Sequence, residues 1–257
     1  MNNRIIINAD DCGRSKVIDA AIEECIQLGC VTSTTVMANM NDFEGAVDLY
    51  NTYKDSVSFG CHLNLTQGPP LLKSQILQDI GFTMVSDNGM IELNGMHLRN
   101  NRVSKAAKVA IFEELDAQIQ KVLDSGIAIS HLDSHHHIHN GFSILPIVVK
   151  AAKKYNITKI RILRNYLPFS SSLIARKAWR TYLGCLYHGV RTTEWFSSPN
   201  EFYRLTKSGQ VTKENTTIEL MCHPGGKSDS ERKEIDLLKS IDFNNNFGDI
   251  LINYNQL

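Results

Sequence analysis

Along nearly its whole length, the chain alternates between short runs of β-branched or apolar residues and longer amphipathic segments. The short runs are typical of buried strands, and the amphipathic segments, with apolar residues three and four positions apart, are typical of helices. Such alternation indicates βαβ units, in which parallel strands form a sheet that helices cover. The predicted strands are residues 4–8, 31–37, 57–65, 127–132, 159–163, 216–221 and 250–254. Seven or so repeats in 257 residues favour a closed or nearly closed (β/α) barrel over an open sheet.

The segments between these strands predict helices. They are residues 15–28, 42–53, 104–125, 144–155, 171–183 and 228–240. Segment 66–102 is the least regular part of the chain, with turn signals at Gly68-Pro69-Pro70 and Asp87-Asn88-Gly89. Loops of this length without periodicity are usually functional or mobile. Since no linker-like or low-complexity segment divides the chain, we expect residues 1–257 to form a single domain.

Charge and composition limit the kinds of partner that the chain can bind. It has 27 Lys+Arg and 27 Asp+Glu residues, and this balance argues against nucleic acid or an anionic membrane as the main partner. No run of about 18 apolar residues occurs, and the apolar run at the N-terminus is too short for a signal peptide. The six cysteines form no Cys-x-x-Cys pair and are typical of reduced thiols. We therefore expect a cytoplasmic protein that acts on a small, largely neutral substrate.

The densest cluster of chemically active side chains runs from His131 to His139. It holds five of the nine histidines, together with Asp133. Imidazole and carboxylate groups are common ligands of divalent cations, so the cluster suggests a metal site. By itself, a His-rich stretch can also be a solvated loop or a compositional accident. A metal site therefore requires further ligands from elsewhere in the chain.

Four polar clusters each lie at the C-terminal end of a predicted strand. They are Asp10-Asp11, His62, the stretch 131–139 and His223. In parallel α/β folds, active sites are built at that end of the sheet. Taken singly, the aspartates could cap a helix, His62 could be a core residue and His223 could belong to a turn. Their shared position predicts instead that they meet in one site, where adjacent Asp10 and Asp11 point in different directions.

Several separated motifs together resemble those of the YdjC/ChbG-like carbohydrate deacetylases. They are Asn8-Ala9-Asp10-Asp11-Cys12-Gly13, Val31-Thr32-Ser33-Thr34-Thr35, Gly60-Cys61-His62-Leu63-Asn64-Leu65-Thr66, His131-Leu132-Asp133-Ser134-His135-His136-His137-Ile138-His139 and Glu219-Leu220-Met221-Cys222-His223-Pro224-Gly225. They occur in the family's order between residues 8 and 225. Cys12 departs from the pattern, where the family usually has Phe, and this affects a packing contact beside the site. Segments 66–102 and 165–215 carry no matching motif, so substrate choice could depend on them.

The resemblance implies a distorted (β/α) barrel related to other polysaccharide deacetylases. It further implies a single divalent metal ion held by Asp11, His62 and His135, with Asp10 as the general base and His223 as a catalytic or substrate-facing histidine. The match favours Mg²⁺ or Zn²⁺. An Asp-His-His set suits Zn²⁺, whereas Mg²⁺ prefers more oxygen ligands, so the ligand types alone do not choose between them.

Other residues are candidates for support of this site. Arg161 could orient Asp10 through a charge-assisted bond, although a purely structural ion pair explains it equally well. Asp133 and His137 are candidate partners for the second ring nitrogen of the ligating imidazoles, and His131 is a further supporting candidate. His136 and His139 have no assigned role.

The predicted function is metal-dependent removal of N-acetyl groups from N-acetylated sugars or short oligosaccharides. The main alternative is a metal-dependent phosphoesterase of a His-rich (β/α) barrel, which commonly holds two or three ions. The motifs lack an adjacent Arg/Lys phosphate clamp, which favours the deacetylase. A third class is a non-catalytic protein that binds sugar or metal, but such a protein would not need Asp10 next to a residue that ligates the metal. The resemblance is also consistent with a homodimer, to which the predicted helix 104–125 could contribute.

Overall fold

A parallel sheet, curled into a half-barrel and covered by helices, forms the centre of the fold. The computed structural model describes residues 2–79, 82–85, 91–99, 102–164, 173–209, 215–241 and 249–257. The strands are β1 Arg4–Cys12, β2 Ser33–Val36, β3 Ser58–Leu63, β4 Thr83–Val85, β5 Ile91–Leu93, β6 Leu132–Ser134, β7 Trp195–Ser197, β8 Thr217–Cys222 and β9 Ile250–Leu251. The helices are α1 Lys16–Gln27, α2 Phe43–Tyr53, α3 Gln75–Asp79, α4 Lys105–Asp124, α5 Leu145–Lys154, α6 Leu173–Leu186, α7 Pro199–Lys207 and α8 Asp229–Ser240.

The strand order of the main sheet is β6-β3-β2-β1-β8-β7, with β9 beside the start of β1, and all of these pairs are parallel. Two isolated parallel bridges extend the sheet beyond β6, joining Leu132 to Ile160 and Lys159 to Arg191. Strands β4 and β5 form a separate antiparallel hairpin. The (β/α) half-barrel agrees with the barrel-like fold predicted from the sequence.

Burial explains why β1 lies at the middle of the sheet. Every residue of β1 after Arg4 is buried, as expected for a parallel strand that is covered on both faces. Ile5 and Ile7 belong to the main core cluster, with the buried side chains of the surrounding strands and helices. At the C-terminal end of the strand, the same burial applies to Asp10 and Asp11, which are only 2% and 3% exposed. The fold therefore carries two carboxylates into its interior.

Local signals define the helix ends as the sequence suggests. Ser15 caps α1 by accepting a hydrogen bond from the Ile18 N–H, and Gly29 follows the helix with φ 70°. Ser228 and Glu231 form a capping box at the start of α8. Helix α4 buries its apolar residues against the rest of this chain, with Val109 exposed, so its apolar face is used within the fold. None of the described helices has the length and apolar character to cross a membrane.

Several predicted elements differ from those observed. The strand predicted at 127–132 is instead Leu132–Ser134, because the ladder to β3 pairs only these residues. The strand predicted at 159–163 is reduced to two bridged residues, and Trp195–Ser197 and Pro199–Lys207 were not predicted. The Asp87-Asn88-Gly89 turn lies outside the described residues, as do positions 171 and 172 of the predicted helix 171–183.

Candidate metal centre and active site

A cavity of about 510 Å³ lies where β1, β3, β6 and β8 end. Its walls bring together residues from all four polar clusters at the C-terminal ends of the predicted strands. The lining residues are Asp10, Asp11, Arg14, His62, Met96, His135, His136, His137, His223 and Glu231. The predicted catalytic and metal-binding residues are therefore all at one cavity, whereas His131 and His139 are buried outside its lining.

Three potential ligand atoms converge beside the floor of this cavity. Asp11 Oδ1 lies 2.8 Å from His135 Nδ1 and 3.3 Å from His62 Nε2. All three atoms lie within 4.8 Å of one another, and Asp11 Oδ1 is buried without a hydrogen-bond partner of correct geometry. Ligands at about 2.1 Å from one ion are separated by about 3.0 Å in an octahedron and about 3.4 Å in a tetrahedron. The arrangement therefore fits a divalent cation.

The second nitrogen of each imidazole has an acceptor. His62 Nδ1 lies 2.8 Å from Asp133 Oδ1, and His135 Nε2 lies 3.1 Å from Gln67 Oε1. An N–H donated to such an acceptor fixes the tautomer and leaves the lone pair of the other nitrogen for a cation. Asp133 was a predicted partner of this kind. Gln67 was not predicted, because a single glutamine in an irregular segment carries no spacing signal.

The electrostatic balance around these ligands also suits a cation. Four buried carboxyl groups face two guanidinium groups, so the acidic groups outnumber the guanidinium groups by two. The carboxylates belong to Asp10, Asp11, Asp133 and Glu219, and the guanidinium groups to Arg14 and Arg161. Although burial lowers the pKa of His62, the charge of Asp133 and the hydrogen bonds of its neighbours raise this pKa to about 10. Anions that hold a proton on His62 would equally favour a metal ion beside it.

Arg161 fixes the orientation of Asp10. It is fully buried, and its Nη1 and Nη2 donate to Asp10 Oδ2 and Oδ1 at 2.8 and 2.7 Å. This fork is the strong, bidentate form of an Arg–carboxylate pair. Burial would raise the pKa of Asp10, but the charge and hydrogen bonds of Arg161 outweigh it and hold the pKa well below its usual value. Asp10 is therefore ionised at neutral pH.

The same guanidinium also binds two other carboxylates. Its Nη1 lies 2.6 Å from Asp133 Oδ2, and its Nε donates to Glu219 Oε1 at 2.8 Å. Glu219 Oε2 accepts a hydrogen bond from the Tyr254 hydroxyl at 2.6 Å. Burial raises the pKa of Glu219 to about 7, although the nearby Arg161 charge opposes that shift. Sequence analysis proposed only the pair of Arg161 with Asp10. The bonds to Glu219 and Tyr254 were missed because these residues are far from Arg161 in the chain.

His131 lies behind this network and not at the cavity. Its ring stacks on the Tyr254 ring, with centroids 3.5 Å apart and an interplanar angle of 9°. Its Nδ1 is 2.9 Å from Ser130 Oγ. Burial, with a smaller effect from Arg161, holds the pKa of His131 well below its usual value. His131 is therefore a neutral core histidine that contacts the site through Tyr254.

The rest of the His-rich stretch forms a 3₁₀ turn over His135–Asn140, with a kink that separates its rings. His136 and His137 both have φ 53°, in the left-handed region that few non-glycine residues adopt. His136 Nδ1 lies 2.9 Å from Thr66 Oγ1, and His137 lines the cavity with its ring 5.5 Å from Phe196. Burial, followed by the charge of His135, lowers the pKa of His136 to about 4.

His139 turns away into the interior, where its Nδ1 is 2.5 Å from Ser134 Oγ. A kinked turn thus sends neighbouring imidazoles to different partners, and His135 alone in this stretch joins the ligand group with Asp11 and His62.

His223 lies at the cavity wall directly after β8. Its backbone carbonyl accepts a hydrogen bond from the Gly226 N–H at 3.1 Å, which closes the turn that carries the imidazole. The charge of His223 is also among the influences that lower the pKa of Asp10. The two predicted catalytic side chains therefore share one cavity and interact electrostatically.

Comparison with known proteins identifies the family. A family model described as YdjC-like protein matches residues 4–247. The chain is 32% identical over 223 residues to a carbohydrate deacetylase of Halalkalibacterium halodurans, covering 86% of this chain and 84% of the relative. It is also 32% identical over 231 residues to a carbohydrate deacetylase of Clostridium beijerinckii, covering 86% and 81% of the two chains.

A crystal structure of an Enterococcus faecalis V583 protein, provisionally assigned to cellobiose-phosphate cleavage, has the same fold. The two superpose with a TM-score of 0.74 at 24% identity, over 100% of this chain and 99% of the other. This likeness confirms the fold, while the family model and the sequence relatives establish the family. The chain therefore belongs to the YdjC-like family, whose relatives compared above are named carbohydrate deacetylases.

Proposed function

We propose that the chain is a metal-dependent hydrolase that removes N-acetyl groups from N-acetylated sugars or short oligosaccharides. The observation that carries this proposal is the convergence of Asp11, His62 and His135 beside an ionised, tethered Asp10. Deacetylation of an amide needs an activated water and a base that takes its proton, and this arrangement can supply both. The carbohydrate deacetylases among the relatives support the same reaction.

The residues of the cavity divide the chemistry between them. One divalent ion, Mg²⁺ or Zn²⁺, held by Asp11, His62 and His135 would provide Lewis-acid activation of water and of the acyl oxygen. Asp10 accepts the proton of the attacking water while Arg161 keeps its carboxylate ionised and aligned. The imidazole of His223 donates a proton to the departing amine nitrogen, which is a poor leaving group when unprotonated.

Supporting residues act through the groups they touch. Asp133 accepts the Nδ1–H of His62 and thereby presents Nε2 to the ion. His137 lines the cavity and contacts substrate, whereas His131 acts indirectly by packing on Tyr254, which binds Glu219. Gln67 Oε1 accepts the Nε2–H of His135 and thereby presents Nδ1 to the ion.

A one-ion site is favoured over the phosphoesterase alternative. A second group, Asp10–His62–Asp133, could also hold a cation among the described residues, but it shares His62 with the first. Moreover, the guanidinium of Arg161 already binds both Asp10 and Asp133. Among the described residues that line the cavity, the one Arg or Lys is Arg14. It donates to Asp11 Oδ2 at 2.8 Å, so it is engaged by a ligand residue. We also propose that the protein is cytoplasmic and forms a homodimer, and light scattering of the purified protein tests the homodimer.

The test of the proposed activity is acetate release from N-acetylglucosamine oligomers by metal-loaded protein. We expect Asp10→Asn to keep its metal content but to lose about 10²- to 10⁴-fold in kcat, since a neutral amide cannot accept the proton. Asp11→Asn and His135→Ala should lose the metal itself. Asp116→Asn, which alters a surface carboxylate paired with Lys154, is the control and should keep both metal and activity.

Other outcomes would redirect the assignment. Full turnover by the Asp10→Asn variant would refute the role of Asp10 as base. Two or more ions per chain, with phosphate released from sugar phosphates and no acetate from any oligomer, would support the phosphoesterase. Sugar binding without release of acetate at any chain length would support a non-catalytic binding protein.

A further inference from the structure

The metal-binding aspartate occupies a strained turn. Asp11 has φ 72°, and Gly13 two residues later has φ 84°. A non-glycine residue in the left-handed region carries a conformational cost and persists only when its surroundings hold it there. The direction of the Asp11 carboxylate depends on this backbone conformation, so whatever holds the turn also determines where a ligand atom points.

Four hydrogen bonds to backbone groups hold the turn from Asp11 to Arg14, in addition to the side-chain bond from Arg14 Nη1 to Asp11 Oδ2. Three are made by backbone groups: Cys12 O accepts from the Met37 N–H at 2.8 Å, Gly13 O from the Asp42 N–H at 2.9 Å, and Asp11 O from the Arg14 N–H at 3.1 Å. The fourth is made by a side chain, because the Gly13 N–H donates to Asp19 Oδ1 at 2.7 Å. The last of these is the shortest, and it pins the residue that follows the bulge of β1.

Besides the Gly13 N–H, the buried Asp19 carboxyl contacts the Cys12 thiol and the Asp42 carboxyl. Asp19 lies in the first turns of α1, is only 5% exposed and belongs to neither the metal-ligand groups nor the ion pairs of the described residues. Its second oxygen, Oδ2, is buried without a hydrogen-bond partner and lies near the carboxyl of Asp42. Burial of a carboxylate beside another carboxylate is unfavourable, and the hydrogen bond from the Gly13 N–H offsets part of that cost.

We propose that Asp19 is a positioning residue, which holds the Gly13 N–H and thereby keeps Asp11 in the conformation that directs Oδ1 towards His62 and His135. This inference rests on the proposed role of Asp11 as a metal ligand. Without the acceptor, the buried Gly13 N–H has no partner, and the turn relaxes to conformations in which the three ligand atoms no longer converge. The hydrogen bond from Gly13 to Asp19 therefore affects metal affinity through the backbone of residues 11–13.

The interaction depends on an acceptor oxygen and not on a negative charge. Burial raises the pKa of Asp19 to about 7; the Gly13 N–H opposes this rise and the facing Asp42 carboxyl adds to it. Both protonation states of Asp19 leave an oxygen that can accept the Gly13 N–H. An asparagine keeps that oxygen and can also donate an N–H to Asp42, so Asp19→Asn is a conservative replacement at this position.

The experiment measures Zn²⁺ affinity by calorimetry on the full chain. Asp19→Ala should bind Zn²⁺ about 10- to 100-fold more weakly than the wild type, the range found when residues that orient metal ligands are removed. Asp19→Asn should restore affinity. The matched control is Asp249→Ala, which removes a carboxylate that is 3% exposed and accepts the Asn3 N–H at 3.1 Å near the other end of β1. It should lower the melting temperature and leave Zn²⁺ affinity unchanged.

A second variant covers the case in which Asp19→Ala does not fold. Asp19→Glu keeps the charge but moves the carboxylate by one methylene, so it should bind Zn²⁺ more weakly than Asp19→Asn. Equal affinity of the Glu and Asn variants, or of Asp19→Ala and Asp249→Ala, would overturn the inference. If instead Asp11→Asn binds Zn²⁺ as tightly as the wild type, the proposed metal site itself fails, and the role of Asp19 fails with it.

Discussion

Arg161 is the residue on which the buried polar groups most depend. One guanidinium, with no exposure to solvent, binds Asp10, Asp133 and Glu219. Its burial lowers the pKa of the guanidinium, but the charges of those carboxylates raise it well above its usual value. The sequence predicted only the bond to Asp10, because the position of Arg161 at the end of its own predicted strand suggested proximity to that strand-end carboxylate. The other two bonds arise from the curl of the sheet, which no local pattern encodes.

Replacement of Arg161 should destabilise the protein severely. Arg161→Gln leaves buried carboxylates without a cation, and removal of one partner from a buried ion pair costs about 3–5 kcal/mol. Denaturant unfolding of the metal-free protein measures this change. Lys154→Gln is the control, since the Lys154–Asp116 pair is exposed and should contribute little. A loss for Arg161→Gln no larger than that of Lys154→Gln would show that the carboxylates are neutralised in another way.

Sequence analysis found the ligands of the candidate site but not the residues that orient them. Asp11, His62 and His135 belong to motifs at the C-terminal ends of strands, so their types and positions both carried information. Gln67 and Asp19 are isolated residues, one in an irregular loop and one on a helix, where polar side chains are usually solvated. Their contacts depend on distances between elements that only the folded structure defines.

At the scale of single elements, β6 and the turn after it determine which histidine reaches the cavity. The predicted strand ended at Leu132, whereas β6 runs to Ser134 and pairs His62 with Asp133 in the ladder to β3. This register puts a carboxylate beside His62 and brings His135 directly after the strand. The left-handed residues His136 and His137 then reverse the chain, and a sequence pattern does not predict such conformations for histidine.

Strand β3 has a glycine where two elements approach closely. A Cβ on Gly60 would lie 2.5 Å from His131 Cε1 and 2.7 Å from Thr35 Cγ2, both in a buried region. Gly60→Ala should therefore destabilise the protein by about 1–3 kcal/mol, as overpacking of a core does. Gly184→Ala in α6 is the control, because nothing lies within 4 Å of its Cβ and alanine favours a helix by about 0.5–1 kcal/mol. Thermal unfolding of the two variants should shift in opposite directions, and unchanged stability of Gly60→Ala would mean that the His131 ring moves at little cost.

At the scale of the whole molecule, the alternation of strands and helices was sufficient to predict the parallel architecture. It was not sufficient to locate the short pieces that extend the sheet. Strand β7 has only three residues, and the pairing at Lys159 and Ile160 consists of isolated bridges, so neither has the length that gives a periodic signal. These pieces are stabilised by their neighbours in the sheet, which a reading of local sequence does not include.

The site also links metal binding to the stability of the entire fold. The ligands come from β1, from β3 and from the turn after β6, so an ion held between them joins elements that are distant in the chain. It would also offset the excess of buried carboxylates. Zn²⁺ at about 100 times its dissociation constant should stabilise the folded state by about 2.7 kcal/mol, equivalent to a rise of about 5–10 °C in melting temperature for a chain of this size. Calorimetric scans with Zn²⁺ and with a chelator measure this difference. Asp11→Asn should melt at the same temperature in both conditions, and a full Zn²⁺-dependent rise in that variant would mean that the ion binds elsewhere.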